Sequence, residues 1–305
     1  MNIEEYLAEL VDSSKPLAAA KLANLANLTY PDIALLKAKW PLVGQERRRQ
    51  IASRLFDMYE SNLELNFDNV FEVLLADPDV AVRANAVEAL GESEDYHLLS
   101  PLIRLLREDK DAALKTAVTK TLAGFAMLAA LGKVPSAYSA RLEQALAEVI
   151  SNPSADADLK RRAVEAISPI LTPKVKQIIE ESYRSPDVKV RASALFAMGR
   201  NCDKGWSQFV VAELNSTEPE LRYEAARASG ELEVKEAVPG LIVLLGDEDL
   251  QVQLSAITSL GEIGGKEAKA ALQSIAKHSN PAIRQAVEDA LANQDFYQKP
   301  LSFKA

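Results

Sequence analysis

Between Ser185 and Gly261 the chain reads SPDVKVRASALFAMG (Ser185–Gly199), TEPELRYEAARASG (Thr217–Gly230) and DEDLQVQLSAITSLG (Asp247–Gly261). Val190-Arg191, Leu221-Arg222 and Val252-Gln253 succeed one another every 31 residues, and so do Gly199, Gly230 and Gly261. A fixed period of this size marks a stack of small units, none of which buries a core alone. Each unit follows one grammar. Residues 237–245 make a short apolar helix, Gly246-Asp247-Glu248-Asp249 a turn, and residues 250–260 a second helix. Carboxylates ahead of the second helix cap its free N–H groups and suit its positive end. Proline in Asp77-Pro78, Ser185-Pro186, Glu218-Pro219 and Asn280-Pro281 fits the first helical position, where no donor is lost. Gly199, Gly230 and Gly261 are expected to close their helices in the left-handed conformation. Val190, Ala194, Ala197 and Met198 share one face at helical spacing, and the small alanines allow close packing.

The rhythm extends in both directions. Residues 1–30 do not match it and are predicted to form an N-terminal cap of two helices, 3–11 and 17–28, separated by Ser13-Ser14-Lys15-Pro16. Residues 31–66 read as a degenerate first repeat, with Arg48 placed 35 residues before Arg83. The solenoid proper spans 67–291. It is interrupted at 128–135, where Gly132 and Pro135 mark an insertion loop. That loop is either tolerated drift or a functional edge. The tail, 292–305, holds Phe296, Tyr297 and Phe303. Two readings stay open for it, a C-terminal cap or a partner-binding peptide. No alternating apolar runs occur, so the expected fold class is all-α.

The chain has 305 residues, 48% of them apolar, and a formal net charge of −9. That balance opposes general affinity for nucleic-acid backbones or anionic lipid. The single cysteine, Cys202, excludes an internal disulfide and is expected to be a small buried or half-buried side chain. The start, MNIEEYLAEL, carries acids where a signal peptide needs bases. No apolar run reaches the roughly 20 residues of a membrane span. The expectation is a cytoplasmic protein.

The repeat resembles the HEAT repeat, in particular the short subtype of phycobilisome-lyase-like proteins. The pattern D-x-D-x-x-V-R-x-x-A-x-x-A-L-G stands nearly whole at Asp77–Gly91 and recurs in weaker form across 67–291. The resemblance implies a right-handed superhelix of antiparallel helix pairs, an α-solenoid whose second helices line a concave, partner-binding side. It also implies a ladder in which a recurring base pairs with an acid of the adjacent turn. The bases are Arg83, Arg191, Arg222 and Arg284, with Lys115 and Lys160 in the same column; Asp79, Asp187 and Glu220 are the candidate acids. Gln253 interrupts the column.

With second helices on that side, their third, fourth and seventh positions look outward. In successive units these are Ala84, Asn85 and Glu88; Arg161, Arg162 and Glu165; Ala192, Ser193 and Phe196; Tyr223, Glu224 and Arg227; Leu254, Ser255 and Thr258. Phe196, Tyr223, Glu224, Arg227, Leu254 and Thr258 are therefore the candidate partner-binding residues, since aromatics and Arg among small polar residues make up binding hot spots. The competing reading buries Phe196 and Leu254 between helices.

Familiar catalytic constellations are missing from the sequence. His97 and His278 stand in no His-x-x-x-His or His-Glu pair, whereas the hydroxylases of this repeat class hold two irons with several His-Glu pairs. One Cys and isolated histidines do not make a zinc site. No phosphate loop, Gly-x-Gly-x-x-Gly or Gly-x-Ser-x-Gly elbow occurs. Gly261-Glu262-Ile263-Gly264-Gly265 follows a helix and reads as a turn; Glu180-Glu181 reads as a solvated face. Arg47-Arg48-Arg49 is the one basic triplet. The resulting expectation is a non-enzymatic scaffold without cofactor or metal that binds a protein partner, with no membrane role. A bilin-lyase-like chaperone or other enzyme-associated subunit, and a HEAT-like nucleic-acid binder, are the alternatives.

Overall fold

The computed structural model describes residues 2–62 and 64–298, with side chains placed as far as Gln294. Every regular element among these residues is a helix. No helix among them is long and apolar enough to cross a membrane. The chain divides into two compact units, Met1–Ala166 and Ile167–Ala305.

The first unit contains α1 (Ile3–Val11), α2 (Tyr30–Lys39), α3 (Gln45–Ser61), α4 (Asp68–Leu74), α5 (Val80–Ala89), α6 (Leu99–Glu108), α7 (Ala112–Ala130) and α8 (Ser136–Ser151), and is closed by α9 (Ala157–Ile167). Second helices stack on one another, α3 on α5 and α5 on α7, while α4 and α6 back the second helices of their own repeats. Ile51, Leu55, Phe71, Val87, Leu102 and Leu122 are fully buried between them. Each such side chain is worth about 1.5–3 kcal/mol of transfer free energy. Residues 17–28 do not form the expected α-helix. They hold a 3-10 helix, Ala19–Leu25, whose tighter turn puts Leu22 and Leu25, three apart, on one buried side. At the expected insertion, α7 absorbs residues 128–130, and the break is confined to a turn at Gly132, φ 73°.

The second unit contains α10 (Pro173–Tyr183), α11 (Val188–Asn201), α12 (Ser207–Glu213), α13 (Pro219–Glu231), α14 (Val238–Leu244), α15 (Leu250–Ile263), α16 (Lys266–Ser274) and α17 (Pro281–Gln298). Here α11, α13, α15 and α17 pack in series, with α10, α12, α14 and α16 behind them. Pro219 and Pro281 open their helices as expected. Pro78 and Pro186 do not, because Asp79 and Asp187, one residue later, take the N-cap and accept backbone N–H groups of Ala81 and Lys189. Of the expected C-terminal tail, residues 292–298 continue α17; residues 299–305 lie outside the described residues.

The glycine column has a different role from the one expected of it. Gly199, Gly230 and Gly261 lie inside α11, α13 and α15 rather than at left-handed closing positions. They are crossing points. A Cβ on Gly199 would lie 3.1 Å from Ala228 Cα, on Gly230 2.9 Å from Ser259 Cα, and on Gly261 3.0 Å from Ala290 Cα. The missing side chain lets consecutive second helices touch backbone to backbone. The left-handed residues come later, at Cys202 (φ 57°), Glu233 (φ 50°) and Gly264 (φ 69°). Holding the αL cap of α11, Cys202 is exposed and not buried.

The base column is a ladder, but its acids are not those the repeat suggested. Arg222 grips Asp247 of the next turn with two bonds, Nε–Oδ2 at 2.7 Å and Nη2–Oδ1 at 2.9 Å. Arg83 pairs with Asp109 at 2.8 Å, and Arg48 with the buried Asp77 at 2.8 Å. The same guanidinium also donates backwards to its own turn, Arg83 to the Asp77 carbonyl and Arg222 to the Ser216 carbonyl. Arg83 and Arg222 thus each tie two turns, their own through a carbonyl and the following one through a carboxylate. Arg191 and Arg284 make the carbonyl contacts, to Ser185 and His278. Gln253 keeps the backward bond, to the Asp247 carbonyl. Asp79 and Asp187 are helix caps instead, and Glu220 lies in the first turn of α13. Asp79 also accepts from Gln45 and Arg49, and those donors, Arg49 first, hold its carboxyl far below the usual range.

Candidate functional site

The candidate residues lie on α11, α13 and α15, within the second unit. Phe196 is half-buried, one turn before Gly199. Because Gly199 brings α13 close, the side chain 31 residues later reaches the phenyl face: Arg227 Cζ stands 4.2 Å from the ring centroid. Arg200 approaches the same ring at 5.8 Å. Arg227 Nη2 donates to the Phe196 carbonyl at 3.3 Å. Its Nε donates to Glu224 Oε2 at 2.8 Å, and its Nη1 to Glu231 Oε1. These acids lie three residues before and four after Arg227, so all three share one helical face. The guanidinium is held over the aromatic ring, an arrangement worth about 1 kcal/mol when half-desolvated.

Tyr223 and Leu254, one repeat apart, are half-buried beside this cluster, and Thr258 is exposed. The Thr258 hydroxyl turns back to the Leu254 carbonyl at 3.1 Å. Not every position expected to look outward does so. Ala192, Ser193 and Ser255 are buried. Ser255 Oγ donates to the Tyr223 carbonyl at 3.1 Å, because close glycine-mediated packing draws the fourth position into the helix interface. The outward edge is therefore Phe196, Tyr223, Glu224, Arg227, Leu254 and Thr258, a half-buried aromatic and aliphatic strip around a fixed cation.

An aromatic cluster in the first unit escaped the reading of the sequence. The Tyr96 and His97 rings lie 4.2 Å apart and tilted by 31°, Tyr138 meets Tyr96 edge-on at 5.1 Å, and Arg141 lies 5.7 Å from the Tyr138 ring. Lys133 in the turn after α7 pairs with Glu94 at 2.9 Å. Adjacent aromatic residues at 96–97 on one side of the broken rhythm, and Tyr138 on the other, were the available signal.

Comparison with known proteins places this geometry. A family model for HEAT repeats matches residues 67–131 and 207–292. The chain is 33% identical over 132 residues to the bilin biosynthesis protein PecE of Nostoc sp., covering 41% of this chain and 51% of that protein. It is 31% identical over 116 residues to deoxyhypusine hydroxylase-B of Oryza sativa subsp. japonica, covering 37% of this chain and 38% of that one. The chain thus spans about half or less of the length of these relatives. Among solved structures, importin beta shares the solenoid fold at TM-score 0.58 and 14% identity, covering 94% of this chain and 46% of importin beta. The resemblance to lyase-like HEAT repeats stands. The expectation that the chain is not an enzyme does not, since one relative is a hydroxylase and another a bilin biosynthesis protein. Motif searches tied to strand–turn–helix contexts are blind to chemistry built on a helical stack, so their silence carried no weight.

Proposed function

We propose that this HEAT-repeat protein holds a partner protein along the second-helix edge of its C-terminal unit, as the partner-binding subunit of a bilin-lyase-like assembly. The observation that carries the reading is the 33% identity to a bilin biosynthesis protein over 132 residues. The strip from Phe196 to Thr258 supplies a surface suited to it. Arg227 is immobilised by Glu224 and Glu231, so little side-chain entropy remains to be lost on contact. Arg and aromatic residues set in a half-buried strip are the usual centre of a protein interface.

The test is affinity capture from the native host with the purified chain, followed by mass spectrometry and by absorbance of any bound bilin. Wild type is expected to recover a bilin-carrying protein or a second subunit of the same repeat class. The Phe196→Ala, Tyr223→Ala, Arg227→Ala variant, once shown to fold by circular dichroism, is expected to lose it. Retention of that protein by the variant would overturn the assigned surface, and recovery of neither would overturn the lyase-like role. A second reading, a hydroxylase-like enzyme, draws on the 31% identity to deoxyhypusine hydroxylase-B. It predicts that the purified chain hydroxylates a deoxyhypusine-bearing protein, which mass spectrometry of the product would show.

A further inference from the structure

Glu231 and Glu262 each follow a crossing glycine, at the C-terminal ends of α13 and α15, and Gln294 lies 32 residues after Glu262 on α17. The glycines make room for these side chains. Glu231 Oε2 and Glu262 Oε2 occupy the spaces that side chains on Gly199 and Gly230 would fill. The result is a cavity of about 510 Å³ lined by Glu231, Glu233, Glu262, Gly264, Gly265 and Gln294, among others. Its mouth is open: a Cβ on Gly264 or Gly265 would meet nothing within 4 Å.

The lining is rich in acceptors and short of donors. Glu231 gives Oε1 to Arg227, but its buried Oε2 has no hydrogen-bond partner. Gln294, only 3% exposed, donates Nε2 to the Leu260 carbonyl at 2.9 Å and leaves Oε1 without a partner. Its amide orientation is fixed by that bond, since reversal would oppose two oxygens. Burial, then Glu231, pushes the Glu262 carboxyl above its ordinary pKa. The last turn of α15 adds the negative end of its helix dipole. Buried acceptors that a fold leaves unsatisfied are rare and call for a donor from outside.

The geometry points to a binding pocket for a guanidinium group, the arginine side chain of a partner protein. Among the described residues no three His, Cys, Asp or Glu side chains are placed to hold a metal ion, so the acceptors are spread too widely for one small cation. A guanidinium carries one charge and five N–H donors in a planar fork, which can serve separated acceptors at once; an ammonium is a compact point charge. The partner-binding reading is needed only for the source of the arginine. The pocket itself is tested without any partner.

The experiment is a titration of the full ¹⁵N-labelled chain, followed by NMR at the amides of Gly261, Gly264 and Gly265. The probes are N-acetyl-arginine methylamide, free arginine, the matching capped citrulline and lysine, and calcium chloride. Saturable shifts with capped arginine are expected, weaker binding with capped lysine, and none with citrulline, which keeps the shape and loses the charge. Free arginine, whose carboxylate the acidic lining repels, should bind more weakly than the capped form; if it binds more tightly, the source is a free metabolite and the partner assignment falls. Glu262→Gln should weaken the capped probe about fivefold, as loss of one solvent-screened charge pair does. Glu233→Gln provides a second, exposed test of the same charge. No saturable shift, equal binding of citrulline, calcium binding in place of arginine, or unchanged affinity in both variants would overturn the proposal.

Discussion

Replacing Gly261 and Gly124 by alanine, one at a time, separates the two roles a helical glycine can have. Both lie within helices, α15 and α7, without positive φ. An interior helical glycine costs about 1 kcal/mol relative to alanine, so local propensity predicts that both substitutions stabilise. Packing predicts otherwise at Gly261. Its new Cβ would meet Ala290 Cβ at 2.8 Å, Cα at 3.0 Å and the carbonyl oxygen at 3.3 Å. Ordinary carbon contacts are about 3.5–4.0 Å, so α15 and α17 must part by roughly half an ångström or more. Overpacking of this kind costs about 1–3 kcal/mol. The net effect is a loss of about 1 kcal/mol. At Gly124 the Cβ meets the Gly91 carbonyl oxygen at 3.6 Å, an ordinary contact, so a gain of about 0.5–1 kcal/mol is expected. Urea unfolding by far-UV circular dichroism should move the midpoints in opposite directions. Because a stack unfolds with limited cooperativity, amide exchange in α15 localises the loss. A Gly261→Ala protein as stable as wild type, with unchanged exchange in α15, would refute the crossing-point argument.

The ladder predicts unequal costs along one column. Arg222→Ala removes a bidentate partner from the nearly buried Asp247 and should cost about 3 kcal/mol, whereas Arg191→Ala, which loses carbonyl contacts, should cost roughly 1–2 kcal/mol. Equal losses in urea midpoint would contradict the assignment. Asp79→Asn keeps a capping side chain but removes the charge that Arg49 and Gln45 favour. A depressed folded pKa gives stability that is present above the unfolded value of about 3.9 and lost as pH falls through the folded one. The midpoint gap between wild type and Asp79→Asn should therefore be full at pH 7 and shrink below about pH 4; a gap independent of pH would sink the idea. Glu262 is the reverse case, raised by burial, Glu231 and Glu233 against the opposing charge of Arg227. Its ionisation weakens the fold as pH rises from the ordinary carboxylate value through the folded one. Glu262→Gln should be more stable than wild type at pH 7 and equal to it below about pH 4.

What the sequence could and could not disclose turns on the period. A spacing of 31 residues says which residues are equivalent, and equivalent residues of adjacent second helices are neighbours. Phe196 and Arg227 are such a pair, so their contact was legible from the column alone. The period does not say on which side of a turn a contact falls. Arg222 could have met Glu220 behind it or Asp247 ahead of it, and only the stagger of the stacked helices decides for Asp247. Nor does it separate a glycine that ends a helix from one that admits its neighbour. The residues that follow would have done so: Arg200-Asn201 continues α11, and Glu262-Ile263 continues α15 before the Gly264-Gly265 break. Once Gly230 and Gly261 are recognised as crossing points, the acids after them acquire a place, since a side chain beside a missing one has room to sit over the neighbouring backbone. Glu231 fills such a space with one oxygen bound to Arg227 and the other unpartnered. The proposed partner-binding strip and the acidic pocket thus meet at one carboxylate, and a substitution that frees Arg227 from Glu231 should perturb both.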